Sequence, residues 1–147
     1  MCIRDSSYGQ LTQLAYFDPT PSAITLQFAP RVYAWVALME DLSGLAPKET
    51  DWLTSENLPE SLLAILNEAA RTYQPLMLAN ARALIANENT VYTIIDDKSW
   101  IQNTFTYQGK CLKWLREEYA SLNSSDKAAV NDILEQTSLT ALIHEPL

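Results

Sequence analysis

Few side chains in this 147-residue sequence are of types that do chemistry, and their spacing decides what they could do. His144 is the single histidine, and no cysteine or carboxylate stands at a diagnostic spacing to make it a metal ligand or a general base, so it reads as a solvent-facing tail residue. Cys111 lies on the apolar side of its segment, near Trp114 and Leu115. That placement favours a buried, inert thiol over a nucleophile, although Lys110 and Arg116 would lower the pKa of an exposed one. Lys110, Lys113 and Arg116 recur every three residues and so share a helical strip. Balanced by Glu117 and Glu118, the strip reads as a solvated face, with an anion contact as the sharper alternative. Asp96-Asp97 is a turn before it is a cation site, because Mg²⁺ or Ca²⁺ needs further oxygen ligands that the neighbours do not offer. The sequence has no Gly-rich phosphate loop, CxxC, HExxH or GxSxG. No catalytic constellation stands alone here, and no metal is implied.

The elements that would position these residues belong to an acidic chain that is 48% hydrophobic, enough for a domain with a real core. The formal charge of -8 and the lack of a Lys/Arg run argue against nucleic acid. No apolar run approaches the roughly 20 residues that span a bilayer, and Arg4 and Asp5 leave no h-region for a signal peptide. One cysteine besides Cys2 suits a reducing cytoplasm. Residues Met1 to Ser6 are similar to one reading frame of a transposase adapter end, so this stretch reads as a sequencing scar and the first helix as cut at its front.

Helical periodicity begins with Tyr8, Leu11, Leu14 and Ala15, giving a helix from about Ser7 to Phe17 that stops at Asp18-Pro19-Thr20-Pro21. A short helix over about Ser22 to Phe28 follows. The next, Arg31 to Leu42, shows the stripe Val32, Trp35, Leu38, Met39 and Leu42 and ends at Gly44. Residues 45–58 read as a connection that Trp52 plugs onto the core. A long helix from Pro59 to about Ala86 buries Leu62, Leu66, Ala69, Ala70, Tyr73, Met77, Ala81, Leu84 and Ile85, with a kink or break before Pro75. Thr90 to Gln102 reads as a β-hairpin with a four-residue loop, Asp96 to Ser99. Helices over Tyr107 to Leu122 and about Ser125 to Gln136 complete the chain, the last burying Val130, Ile133 and Leu134.

Two stretches together resemble a known family. Tyr8-Gly9-Gln10-Leu11-Thr12-Gln13-Leu14, Phe17-Asp18-Pro19-Thr20-Pro21 and Ala29-Pro30-Arg31-Val32-Tyr33-Ala34-Trp35-Val36 resemble the last two core helices of the glutathione S-transferase C-terminal domain. Trp100-x-Gln102-x-x-Phe105-x-Tyr107-Gln108-x-Lys110-Cys111-Leu112-x-Trp114-Leu115-Arg116 is similar to a C-terminal extension in a bacterial subgroup of that family. The family's Ser/Thr-x-x-Asp capping box would fall at Met1 to Arg4 and is missing, a departure that points to truncation within the helix.

The resemblance implies a mainly α fold: a partial helical bundle of the glutathione-transferase C-terminal type over 7–44, then a helical extension with a hairpin over 45–147. It also implies a parent that binds glutathione as co-substrate in a missing thioredoxin-like domain and attacks a hydrophobic electrophile held against the helices. In that setting Tyr8, Tyr16 and Phe17 could wall the substrate pocket and Lys110 could touch an anion or a conjugate, while core packing is the favoured reading of the rings. The fragment alone would bind no cofactor and would not catalyse. A homodimer is left open. The alternative is a non-catalytic helical interaction or regulatory module of the same fold.

Overall fold

A computed structural model describes residues 3–41, 46, 48–55 and 57–147. The protein is mainly helical, with one small two-stranded antiparallel sheet. It divides into two compact units, Met1–Trp52 and Leu53–Leu147. Among the described residues, no helix is long and apolar enough to cross a membrane.

The first unit holds α1 (Ile3–Thr12), a π-helical turn (Gln13–Phe17), α2 (Pro19–Phe28) and α3 (Pro30–Asp41). Prolines punctuate it. The N–H of Asp18 reaches back five residues to the Gln13 carbonyl (3.3 Å), a widened turn that ends the helical path just before Pro19. The second helix starts at Pro19 and not near Ser22, because a first-turn N–H has no intrahelical partner and both Pro19 and Pro21 fit there. Helix α3 packs against α1 and α2, burying Val36 and Met39 and half-burying Val32, Tyr33 and Trp35. Leu38, expected on that stripe, is exposed, and Val36 takes the buried position. Leu42 and Gly44 lie outside the described residues. Trp52 is 64% exposed, so it plugs no core; it follows a short 3₁₀ turn, Glu49–Asp51.

The second unit begins with α4 (Glu60–Glu68), a π-helical turn (Ala69–Tyr73) and α5 (Gln74–Ile85). Pro75 explains the wide turn. Its ring would collide with the carbonyl four residues back and it donates no hydrogen bond, so the Gln74 N–H bonds to Ala69 five residues back and lets the chain pass. Then come β1 (Thr90–Ile95), β2 (Lys98–Asn103), α6 (Thr106–Ser121), α7 (Ser124–Gln136) and α8 (Thr140–His144). The core joins Met77, Leu78 and Ala81 of α5 to Leu112 of α6, Leu134 of α7, and Leu139 and Leu142 around α8. Tyr73 and Ile85, expected in this core, are exposed.

The hairpin is tighter than its composition predicts. Ile95 pairs with Lys98, so the loop is two residues rather than four. Asp96 and Asp97 both take left-handed backbone, with φ of 51° and 58°, the type I′ geometry that matches strand twist. Helices α5 and α7 each close on a left-handed residue. After Asn87 (φ 56°) the Glu88 N–H bonds to Ala83, and after Ser138 (φ 58°) the Leu139 N–H bonds to Leu134, each at 2.8 Å.

Candidate functional site

Two tyrosines of the first unit meet at its π-helical turn. Tyr16 meets Tyr33 of α3 edge to face, with ring centroids 5.2 Å apart. Desolvation, then Tyr33, Glu40 and Tyr8, hold the Tyr16 hydroxyl above its ordinary pKa. At neutral pH it is therefore a neutral phenol, able to donate a hydrogen bond and unsuited to act as a base. Tyr8 is half-buried, while Phe17 is 74% exposed. Ile24, Leu26 and Phe28 of α2 and Leu38 of α3 are exposed as well. These helices place apolar surface and phenols in the open.

Lys110 lies elsewhere, in the second unit. It borders an open groove of about 490 Å³ between α5 and α6, floored by Ala81, Leu84, Ile85 and Gly109, with Thr106, Lys113 and Leu147 at its sides. Gly109 sets the approach of the two helices. A methyl at 109 would sit 2.6 Å from Leu84 Cδ1, so that side chain would have to turn aside. Lys110 thus belongs to the second unit, and Tyr8, Tyr16 and Phe17 to the first.

The expected cationic strip divides. Lys110 and Lys113 are exposed, with Lys113 3.6 Å from Glu117. Arg116 is not on a solvated face. Its Nε and Nη2 donate to the carbonyls of Leu142 and Glu145, each at 2.9 Å, and so satisfy the C-terminal end of α8. Desolvation, together with Arg82 nearby, lowers the Arg116 pKa from its ordinary value. Arg82 in turn pairs with the Glu145 carboxylate. His144 is exposed but partnered: Nε2 lies 3.1 Å from Asn131 Oδ1, which also accepts the Tyr119 hydroxyl at 2.9 Å. Cys111 is half-buried next to Tyr73, whose hydroxyl is pushed up in pKa by desolvation and then by Cys111. Among the described residues no group of three or more His, Cys, Asp or Glu could hold a metal ion.

Comparison with protein-family models, curated proteins and solved structures returns no match for this chain.

The polar residues that matter most to this architecture are ones that motif reading passes over. Asn80 is fully buried in α5, its Nδ2 donating to the Phe105 carbonyl (3.0 Å) and its Oδ1 accepting the Phe105 N–H (2.8 Å). One amide thus pins the link between β2 and α6. Gln74 does the same for α8, donating to Ser138 O and accepting from Leu142 N. Asn80 stands three residues after Met77 and four before Leu84, on the apolar stripe, and that misplacement was the available signal.

Proposed function

We propose that this chain supplies helical wall to a glutathione S-transferase-like protein. In this reading a thioredoxin-like domain elsewhere in the parent binds glutathione and lowers the pKa of its thiol. The helices α1–α3 pack against that domain and present Tyr8, Tyr16 and Phe17 to a hydrophobic electrophile. The chain's own contribution is shape and apolar surface, with no acid, base or nucleophile of its own, in a reducing cytoplasm.

The observation that supports this reading is the apolar surface of α1–α3, the segments that carry the resemblance. Phe17, Ile24, Leu26, Phe28 and Leu38 are exposed there, apolar surface that a partner domain could cover. The neutral Tyr16 phenol suits a wall that donates a hydrogen bond to a bound electrophile or its leaving group.

The test is the coding sequence upstream of Ser7 together with activity. The reading expects a thioredoxin-like segment there, with a Ser, Tyr or Cys near its first helix, and glutathione conjugation by the joined protein only. Upstream sequence lacking such a segment would assign the chain to a non-catalytic interaction module. Turnover of 1-chloro-2,4-dinitrobenzene by the 147-residue chain alone would overturn the division of labour.

A further inference from the structure

Strand β2 leaves one edge of the hairpin unpaired, and the register fixes which groups face outward. Ile95 and Lys98 flank the two-residue turn and exchange both hydrogen bonds, as the closing pair of such a hairpin does. The alternation then makes Thr93–Trp100 and Val91–Gln102 hydrogen-bonded pairs. The Thr104 N–H bonded to Asn89 O at 3.0 Å continues the same phase one step further. The N–H and C=O groups of Ser99, Ile101 and Asn103 therefore point away from β1. Among the described residues, they have no backbone partner.

This edge lacks two of the usual protections. It has no proline and no bulge, and its register runs unbroken from Thr90–Asn103 to Ile95–Lys98. Its one charge, Lys98, sits at the turn, leaving Ser99 to Asn103 neutral. The face of the sheet away from Val91 is apolar, with Tyr92, Ile94 and Ile101 at 69%, 66% and 63% exposure. The Val91 face of the hairpin packs on α5, so the opposite, apolar face is the one left bare, and added strands would extend it.

We propose that β2 is a dimerisation seam, pairing antiparallel with β2 of a second copy about a two-fold axis at Ile101 to give a four-stranded sheet. The sequence selects a second copy as the occupant. Centred on Ile101, Ile101 opposes its own symmetry mate, Ser99 opposes Asn103 and Trp100 opposes Gln102, with each residue on the same face as its counterpart. This is the register in which all three outward-facing residues are hydrogen-bonded, giving six new backbone bonds. Trp100 Nε1 already donates to Gln102 Oε1 within the chain at 3.0 Å, so indole donor and amide acceptor also meet across the seam. Two chains of charge -8 can approach here because the strip between them is neutral and no like charges oppose each other. Tyr92 and Ile101 of both copies then form one continuous apolar row across the four strands.

The experiment uses the full 147-residue chain. Sedimentation equilibrium across a concentration series gives a monomer–dimer equilibrium, and a mixed-label sample shows an interchain contact between the Trp100 and Gln102 α-protons. In the dimer the Ser99, Ile101 and Asn103 amides exchange more slowly. Ile101→Pro keeps the β1–β2 ladder, because its missing N–H faces outward, but removes two of the six seam bonds. It weakens the dimer roughly 10- to 100-fold. Ile101→Lys, which opposes two charges at the axis, is the second variant, and circular dichroism checks that both fold. A chain that stays monomeric at all concentrations overturns the proposal. So does a dimer that folded Ile101→Pro and Ile101→Lys leave unchanged, or protection of these amides only when a foreign extended peptide is added.

Discussion

The two units of the chain solve the same packing problem to different degrees. In Leu53–Leu147, five helices and a hairpin are tied together by contacts far apart in sequence. Met77 meets Leu112 and Leu142 in one core, Asn80 holds Phe105, Gln74 holds α8, and Arg116 closes its end. In Met1–Trp52, three helices bury fewer large side chains, Ala15, Val36 and Met39 among the described residues; both units leave apolar residues in the open, Phe17, Ile24 and Phe28 in the first and Ile65, Ile85 and Tyr92 in the second. Burial stabilises by roughly 25 cal/mol per Å² of apolar surface removed from water, so the second unit holds most of the stability. The first is the part with most to gain from a partner. That contrast is the physical basis for reading α1–α3 as wall rather than as site.

Core truncation should break the comparison most visibly. Leu112→Ala removes a fully buried side chain at the junction of three helices and should cost about 2–5 kcal/mol. Val36→Ala deletes less from a thinner core and should cost distinctly less; urea unfolding of the two variants checks the order. Equal losses would mean that the units are equally well packed. Next in size is Asn80→Ala, which leaves the Phe105 N–H and carbonyl without their partner and should cost roughly 2–3 kcal/mol, again read by denaturant midpoint. If Asn80→Ala is neutral, the link between β2 and α6 is held by something other than this amide.

A gain is expected at Ser138, whose left-handed backbone suits glycine. Ser138→Gly should stabilise by about 0.5–1 kcal/mol in a thermal melt, unless the φ of 58° is relaxed in solution. The smallest effect is on pH. Tyr16 and Tyr73 both have folded pKa values raised above the ordinary 10.0, so each binds its proton more tightly when folded. Their contribution is complete below pH 10 and is lost as pH rises through the folded values. Alkaline melts should therefore fall off less steeply in Tyr73→Phe, with Tyr16→Phe reporting the first unit.

Much of the helical layout was legible because prolines and apolar periods speak locally. Pro30, Pro59 and Pro75 mark starts and interruptions wherever the chain is read, and Val91 to Ile95 announce a strand by side-chain shape. What was not legible depends on partners far away in sequence. Leu38, Tyr73 and Ile85 share the period of buried residues but are exposed. Trp52 is large and apolar, yet a connection can leave it exposed. The hairpin loop was overestimated because Lys98 and Ser99 look like turn residues, while backbone geometry at Asp96 and Asp97 already closes the turn. Helix α8 was missed: five residues carry too little period to detect, and its ends are satisfied by Gln74 and Arg116 from other helices. The rings at Tyr8, Tyr16 and Phe17 and the placement of Lys110 in a later segment could be named from sequence, but the edge-to-face packing of Tyr16 on Tyr33 could not.

Residue-resolved amide hydrogen exchange on the 147-residue chain tests the contrast most directly. The account predicts slow exchange through Met77 to Ala83 and around Leu112, and exchange faster by orders of magnitude through α1–α3, whose apolar faces lack a cover. Equal protection of α1–α3 and α5 would show that the first unit is complete by itself and would contradict its reading as a wall awaiting a partner domain.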